Sequence, residues 1–144
     1  MGLVSDLLDS KGTDVFTVTP DQSVLDATEC MAKVSAGSAV VMDKGEAVGI
    51  ISERDVLRKI VLTGTSVADT PIRQIMSGDL VTVTPETTLD ECMSLVTEKR
   101  VRHLPVVQDR QLCGIISIGD IVKYLVVEKD FKIKNLESYI NGAM

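Results

Sequence analysis

The sequence predicts an α/β (α+β) fold built from two pseudo-symmetric copies of one βαββα-type repeat that pack on each other. The main observation is internal repetition: Gly-Ile-Ile-Ser at 49–52 returns at 114–117, and Thr-Val-Thr-Pro at 17–20 returns at 82–85, with one constant offset. A second observation is that 44% of the residues are hydrophobic but only 3% are aromatic, which favours aliphatic helix-on-sheet layers. Two copies are too few for a solenoid, so we expect a packed pair.

The two copies share the same predicted order of elements. Each opens with a short strand that ends at a proline, followed by a helix capped by Ser23 or Thr88, two further strands and a second helix. The predicted strands lie at residues 15–19, 39–42, 47–51, 80–84, 104–107 and 112–116. The predicted second helices lie at residues 53–62 and 119–127, each beginning just after a serine.

These elements divide the chain into five segments. We expect a leading helical segment, a first repeat, a linker with the lead-in to the second repeat, a second repeat and a charged helical tail, at residues 1–14, 15–62, 63–79, 80–127 and 128–144. In the tail, Ile133, Leu136 and Ile140 follow helical spacing. We expect this stripe to pack on the two repeats or on a second copy of the chain.

Composition and charge disfavour several classes of function. The net charge of −6, with a pI near 4.7, opposes attraction to nucleic-acid phosphates or anionic lipid, and few aromatic side chains are available to stack on bases. No apolar run reaches the roughly 18 residues of a membrane span. The opening residues match neither a signal peptide nor the myristoylation pattern. We therefore expect a soluble, cytoplasmic protein without nucleic-acid or membrane partners.

The residues that carry most enzyme chemistry are scarce. The three cysteines, Cys30, Cys92 and Cys113, form no CxxC pair and lie in apolar stretches, as reduced core residues do. His103 is the only histidine, and it has no nucleophile beside it in the sequence. We therefore expect no enzymatic activity, no catalytic cofactor and no metal ion.

The sharpest motif stands at the end of the third strand of each copy. Ser52 precedes Asp55 there at a spacing of one helical turn, and Ser117 precedes Asp120 in the same way. A serine hydroxyl and free N–H groups at a helix N-terminus favour phosphate, and an aspartate one turn further on can accept both hydroxyls of a ribose diol. The alternative is that each pair only caps its helix, although recurrence in both copies favours a shared site.

The chain resembles stand-alone tandem CBS-domain pairs, also called Bateman modules, over nearly its whole length. The resemblance rests on the Val-x-Thr-Val-x-Pro opening, on Arg-His-Leu-Pro-Val-Val at 102–107, and on the Gly-Ile-Ile-Ser-x-x-Asp endings. It implies a disc-like module with two clefts between the repeats, where adenosine ligands such as AMP, ADP, ATP, NAD or S-adenosylmethionine bind. It also implies a homodimer.

The resemblance further implies a role for the candidate site residues. Ribose binds to Asp55 and Asp120, and Ser52 and Ser117 lie near the phosphate or the ribose. The implied base-pocket residues are Thr19, Thr84, Ser38, Ala39, Leu104, Ile50 and Ile115.

The copies differ at positions that bear on phosphate binding. If each cleft joins the second helix of one repeat to the second-strand entry of the other, one cleft is cationic. Its expected residues are Asp55, Ser52, Arg54, Arg102 and His103. The other cleft combines Asp120 and Ser117 with Gly37 and Ser38, so we expect little positive charge there. The alternative for the basic run at 99–103 is a solvated helix end.

The sequence therefore predicts a non-catalytic regulatory sensor that binds an adenosine nucleotide between its repeats. A ligand that bridges the repeats would favour one relative arrangement of them, and the signal would pass to a separate, unidentified protein partner. The alternative is a ligand-free dimerisation or protein-interaction module, which shares every core feature.

Overall fold

The computed structural model describes residues 2–142 of the chain. Its helices are α1 (Val4–Lys11), α2 (Val24–Val34), α3 (Glu53–Val56), α4 (Leu89–Lys99) and α5 (Ile118–Gly142). Its strands are β1 (Thr17–Val18), β2 (Ser38–Asp43), β3 (Glu46–Ser52), β4 (His103–Gln108) and β5 (Gln111–Ser117). A π-helical turn over Leu57–Val61 continues α3, and a 3-10 turn covers Ile72–Gln74. The predicted α+β fold with two matching repeats is confirmed.

The sheets of the two repeats differ at their first strand. In the first repeat β1 runs parallel to β2, which pairs antiparallel with β3. In the second repeat β4 pairs antiparallel with β5, and the strand predicted at 80–84 forms only one parallel bridge, from Val83 to Val106. The chain that precedes this bridge is engaged elsewhere, because Ser77 pairs with Ile50 of the first repeat.

Each repeat is completed by the segment that leads into the other one. Helix α1 packs on the second repeat: Val4 N donates to Thr87 O at 2.8 Å, and Val4 and Leu7 are buried in that core. The 3-10 turn packs on the first repeat, where Ile72 N donates to Gln22 O at 2.8 Å. We call these two segments the exchanged lead-ins. Each core is therefore completed by residues from outside its own βαββα unit.

The exchanged lead-ins differ in length. Val4 and Ile72 are equivalent, because the carbonyls to which they donate, those of Thr87 and Gln22, occupy the same position in their respective repeats. The chain spans 14 positions from Val4 to Val18 but only 11 from Ile72 to Val83. The longer lead-in forms the helix α1, while the shorter one forms a single 3-10 turn. The second repeat is therefore covered by a full helix at the place where the first repeat is covered only by a 3-10 turn.

The cores are aliphatic, as the composition predicts, but the cysteines are not all buried in them. Cys92 is buried in the core of the second repeat, whereas Cys30 and Cys113 are half-buried. Burial, with the charge of Glu91 as a smaller cause, raises the pKa of the Cys92 thiol to about 11. That thiol therefore stays protonated near neutral pH.

The second helices of the repeats diverge. The first is short and becomes π-helical, while α5 continues without a break into the segment expected to be a separate tail. Ile133 is 47% exposed and Leu136 is 63% exposed, so these two side chains do not pack on the repeats of their own chain, and their packing on a second copy stays a prediction. The side chain of Ile140 lies outside those that the structure describes. Within residues 2–142, no helix has both the length and the apolar character needed to cross a membrane.

Candidate functional site

A cleft of about 690 Å³ lies between the two repeats. One wall is the end of β3 and the start of α3, with Ile50 and residues 52–55. The opposite wall is the end of α4 and the start of β4, with residues 99–103 and Pro105. Residues 77–81 also line it. The helix start of one repeat thus faces the second-strand entry of the other, and we call this space the Asp55 cleft.

The Asp55 cleft brings together the residues that the sequence predicts for its ribose and phosphate. They are Asp55, Ser52, Arg54, Arg102 and His103. Lys99 and Arg100 line the same cleft, so four lysine and arginine side chains face three carboxylates. The carboxylates are those of Glu53, Asp55 and Asp79. On a chain of net charge −6, this local excess of positive charge favours an anionic ligand.

Ser52 and Asp55 form a hydrogen-bonded cap at the start of α3. Asp55 Oδ2 accepts from Ser52 N at 2.9 Å and from Ser52 Oγ at 3.0 Å, and Asp55 N donates to Ser52 Oγ at 3.2 Å. Asp55 Oδ1 lies 3.5 Å from Lys59 Nζ, which is long for a charge-assisted hydrogen bond. The pair therefore caps the helix and still leaves Oδ1 with acceptor capacity.

Several predicted base-pocket side chains are not available to a ligand. Ile50 lines the Asp55 cleft. Ala39 and Leu104, in contrast, are fully buried in the cores of the first and second repeats, and Ser38 is 7% exposed. Their strands turn the side chains of Ala39 and Leu104 into the cores, so these two residues can contribute only backbone atoms to a base pocket, and that part stays a prediction.

The two predicted threonines lie in turns outside the Asp55 cleft. Thr19 N donates to Gln22 Oε1 at 2.8 Å, and Thr84 N donates to Thr87 Oγ1 at 3.0 Å. Both threonines are exposed, and neither is among the residues that line the cleft. Their part in a base pocket stays a prediction.

Sequence reasoning missed the segment at 77–81 as part of the site: it assigned residues 77–79 to the linker and lead-in, and residues 80–81 to the first strand of the second repeat. Two backbone hydrogen bonds hold this segment against β3: Ile50 N donates to Ser77 O at 3.1 Å, and Ser77 N donates to Ile50 O at 2.9 Å. No motif marks it, so no local signal could have found it. Arg100 could have been predicted as a residue of the cleft, because it belongs to the basic run that contains Arg102.

His103 lies where the two repeats meet. The imidazole of His103 packs close to the backbone of Gly37 in the first repeat, since a Cβ atom placed on Gly37 would be 3.4 Å from His103 Nε2. Burial lowers the pKa of His103, and Lys11 and Arg102 add to this effect, while Asp120 and Glu53 oppose it. The imidazole is therefore neutral at pH 7.

The stability of the chain should decrease as the pH falls through the range where this histidine titrates. Below about pH 6.5 the unfolded chain takes up a proton that folded His103 resists, so the unfolded state binds more protons and gains stability. We expect the free energy of unfolding to decrease from pH 7 towards the lowered folded pKa. Urea denaturation at pH 7.5 and 5.5 measures this decrease.

The His103→Gln variant is the control for that measurement, because the chain has no other histidine. It should lose most of the decrease between the two pH values. An equal decrease in the variant and the wild type would show that other groups cause it.

The surroundings of Asp120 differ from the expectation. Asp120 lines a smaller hollow of about 340 Å³ between α1 and α5. Lys11 Nζ donates to Asp120 Oδ2 and to Ile115 O, both at 2.7 Å. The expectation of little positive charge beside Asp120 is therefore wrong, because α1 packs there and carries Lys11. Gly37, which was expected on this side, lines the Asp55 cleft.

Asp120 also caps its helix. Ser117 N donates to Asp120 Oδ2 at 2.9 Å, and Asp120 N donates to Ser117 Oγ at 3.0 Å. Burial alone would raise the pKa of Asp120, but the hydrogen bonds from Lys11 and from Ser117 outweigh burial and hold the pKa below its ordinary value. Asp120 is therefore ionised and paired.

Comparison with known proteins agrees with this architecture. The CBS domain family model matches residues 4–62 and 72–127. The chain is 40% identical over 149 residues to the mitochondrial CBS domain-containing protein CBSX3 of Arabidopsis thaliana, across 97% of this chain and 72% of that protein. A solved CBS-domain protein from Agrobacterium tumefaciens is 38% identical, with a TM-score of 0.81 over 85% of this chain and 98% of that one.

A more distant solved structure shares the fold alone. The CBS domain pair of protein MJ0100, in complex with 5′-methylthioadenosine and S-adenosyl-L-methionine, is 22% identical, with a TM-score of 0.78 over 89% of this chain and 98% of that one. With both repeats matched, the chain belongs to the CBS-domain family. CBS-domain pairs are in general regulatory modules that bind ligands.

Proposed function

We propose that this chain is a non-catalytic regulatory sensor that binds an adenosine nucleotide in the Asp55 cleft. The observation that carries the proposal is a cleft between the two repeats with a carboxylate on one wall and a cluster of cations on the other. A nucleotide has the complementary pattern, since its ribose diol donates hydrogen bonds and its phosphate is anionic. Because the ligand contacts both repeats, it stabilises one relative arrangement of them.

Each part of the nucleotide has an assigned partner. The ribose hydroxyls donate to Asp55, whose Oδ1 retains acceptor capacity. The phosphate binds the cations Arg54 and Arg102 and accepts a hydrogen bond from the neutral imidazole of His103, all of which line the cleft. Ser52 lies beside them, but its hydroxyl donates to Asp55, so we assign the phosphate to these three side chains. The base lies against apolar side chains that include Ile50.

The charge of the cleft ranks the possible ligands. Its excess of lysine and arginine favours AMP, ADP, ATP or NAD, which carry phosphate. S-adenosylmethionine carries a cationic sulfonium and should bind more weakly. The ligands of protein MJ0100 support adenosine as the common group.

A second copy of the chain is the proposed partner. Large apolar side chains are exposed at the same three positions of both repeats, by 48% to 73%. These positions, which we call the paired apolar face, are Leu57, Val61 and Leu62 and their equivalents in the second repeat, Val122, Val126 and Val127. A second copy related by a two-fold axis presents a matching face, which favours a homodimer.

The remaining parts of the proposal concern output and location. We expect no turnover of ATP or NAD, and we expect the signal to pass to a separate protein partner. A cytoplasmic location stays a prediction, because the name of the Arabidopsis relative places that protein in mitochondria.

Isothermal titration of the purified chain with AMP, ATP, NAD, S-adenosylmethionine and adenosine tests the proposal. We expect saturable binding that is tighter for AMP or ATP than for adenosine. Absence of binding to all five would favour the ligand-free interaction module. One observation supports that second candidate: Ser52 and Asp55 already form a hydrogen-bonded helix cap without a ligand.

Arg100→Gly should weaken AMP binding while it stabilises the fold. Arg100 ends α4 in the left-handed region, at φ 54°, which is strained for any residue with a Cβ. Glycine removes this strain, so the free energy of unfolding should rise by up to about 1 kcal/mol. Loss of one cation from the cleft should weaken AMP binding roughly fivefold, or about 1 kcal/mol. Titration calorimetry and urea denaturation measure the two effects.

Ser35→Gly is the matched control. Ser35 ends α2 at φ 56° and is the counterpart of Arg100, but it does not line the Asp55 cleft. Its replacement should stabilise the chain to a similar extent and leave AMP affinity unchanged. Equal affinity in the two variants would show that Arg100 does not contribute to AMP binding.

A further inference from the structure

We infer that Lys11 closes the Asp120 side of the molecule to the ribose of a nucleotide, so that each chain binds one nucleotide, in the Asp55 cleft. This inference rests on the proposed function, because it takes both aspartates as possible ribose ligands. Lys11 is then the residue that decides which of the two repeats serves as a ribose site.

The ammonium of Lys11 holds the carboxylate that a ribose would need, together with a neighbouring backbone carbonyl. Ile50 and Asp55 both line the Asp55 cleft, and their counterparts in the second repeat are Ile115 and Asp120. Lys11 Nζ donates to the carbonyl of Ile115 and to the carboxylate of Asp120, at 2.7 Å in each case. One side chain therefore fills the space between these two acceptors.

The Asp55 cleft has no equivalent closure among the described residues. Lys59, which pairs with Asp55, stands on the same helical segment and leaves 3.5 Å between Nζ and Asp55 Oδ1. Lys59 donates instead to Ile75 O, at 2.8 Å. The carboxylate of Asp55 thus keeps an oxygen without a close cationic donor.

The unequal lengths of the exchanged lead-ins explain why only one side is closed. The first lead-in has three more positions than the second, and these extend α1 to Lys11, its last residue. Each helical residue adds about 1.5 Å, so the additional length carries the lysine towards Asp120. Leu7 and Leu8 are buried in the core of the second repeat, so a packed helix holds Lys11 in place.

The Asp120 side also has fewer cations than the Asp55 cleft. Gly119 stands at the counterpart of Arg54, and besides Lys11 the residues that line the hollow include one further cation, Lys123. Once Lys11 is removed, this side should therefore accept an uncharged nucleoside. Adenosine is the appropriate probe.

The experiment titrates adenosine into variants in which the Asp55 cleft is disabled. We expect one equivalent to bind to the wild type and none to Asp55→Ala. Asp55→Ala combined with Lys11→Met, which keeps an unbranched side chain but removes the ammonium group, should again bind one equivalent. Asp55→Ala combined with Lys11→Arg should bind none, because the cation is retained. Adding Asp120→Asn to the Lys11→Met double variant should abolish the recovered binding.

Other results would overturn the inference. Two equivalents bound to the wild type, or no recovery in a Lys11→Met double variant that circular dichroism shows to be folded, would refute closure by Lys11 and leave the proposed function intact. Absence of adenosine binding to every variant, together with absence of AMP binding to the wild type, would refute the proposed function, and this inference with it.

Discussion

Replacement of Asp55 by asparagine should weaken AMP binding about 10- to 100-fold. Asparagine keeps an oxygen that can accept from Ser52 N, so the helix cap at the start of α3 survives. It lacks the negative charge and the second oxygen that a ribose diol requires, and hydrogen bonds to a charged group contribute about 1.5–3 kcal/mol. Titration calorimetry with AMP on the wild type and the variant measures the change.

Asp120→Asn is the control for that variant. Asp120 makes the same cap with Ser117, but it lines the hollow beside α1 and not the Asp55 cleft. Its AMP affinity should stay within about twofold of the wild type. If Asp55→Asn binds AMP as the wild type does, Asp55 is a helix cap only, and the ribose must bind elsewhere.

Glutamate at both Val61 and Val126 should convert a dimer into a monomer. The two valines are each 60% or more exposed and occupy equivalent positions in the paired apolar face. Burying unpaired carboxylates in an apolar contact costs several kcal/mol, so the dimer dissociation constant should rise by roughly 100-fold or more. Sedimentation equilibrium at several concentrations measures the constant.

Ile133→Glu is the matched control for the paired apolar face, and it tests the other contact that the sequence predicts, packing of the tail stripe on a second copy. Ile133 is also apolar and 47% exposed, but it lies in the distal part of α5, outside the paired apolar face. The mass of the Ile133→Glu variant in solution should match that of the wild type. A wild-type chain that is monomeric, or a double variant with an unchanged dissociation constant, would contradict a dimer through this face.

Much of the fold could be predicted because the two repeats constrain each other. A pattern that returns at a constant offset without a gap predicts the same elements twice, and the second and third strands of each repeat form where expected. The exchange of lead-ins could not be predicted, since it depends on packing between residues such as Leu7 and Leu89, far apart in sequence. The continuous α5 was also missed, because no proline or glycine signal decides where its helix ends.

Part of the candidate site could likewise be predicted from the repeat, and part could not. Asp55, Arg54 and Arg102 follow from pairing the motif of one repeat with the strand entry of the other, and the structure places them in one cleft. The contact of Lys11 with Asp120 does not follow from that symmetry. This contact arises because the two lead-ins differ in length, so a prediction based on the symmetry of the repeats misses it.

The exchanged lead-ins also determine when each repeat can fold while the chain is being synthesised. Helix α1 emerges first, but its buried residues Val4 and Leu7 pack with Leu89, Leu104 and Ile116, which are synthesised only in the second half of the chain. The first repeat can close as soon as Ile72 and Ile75 have emerged. During the interval the apolar side of α1 has no native partner, and a nascent chain with exposed apolar surface is the form that chaperones hold and that aggregates.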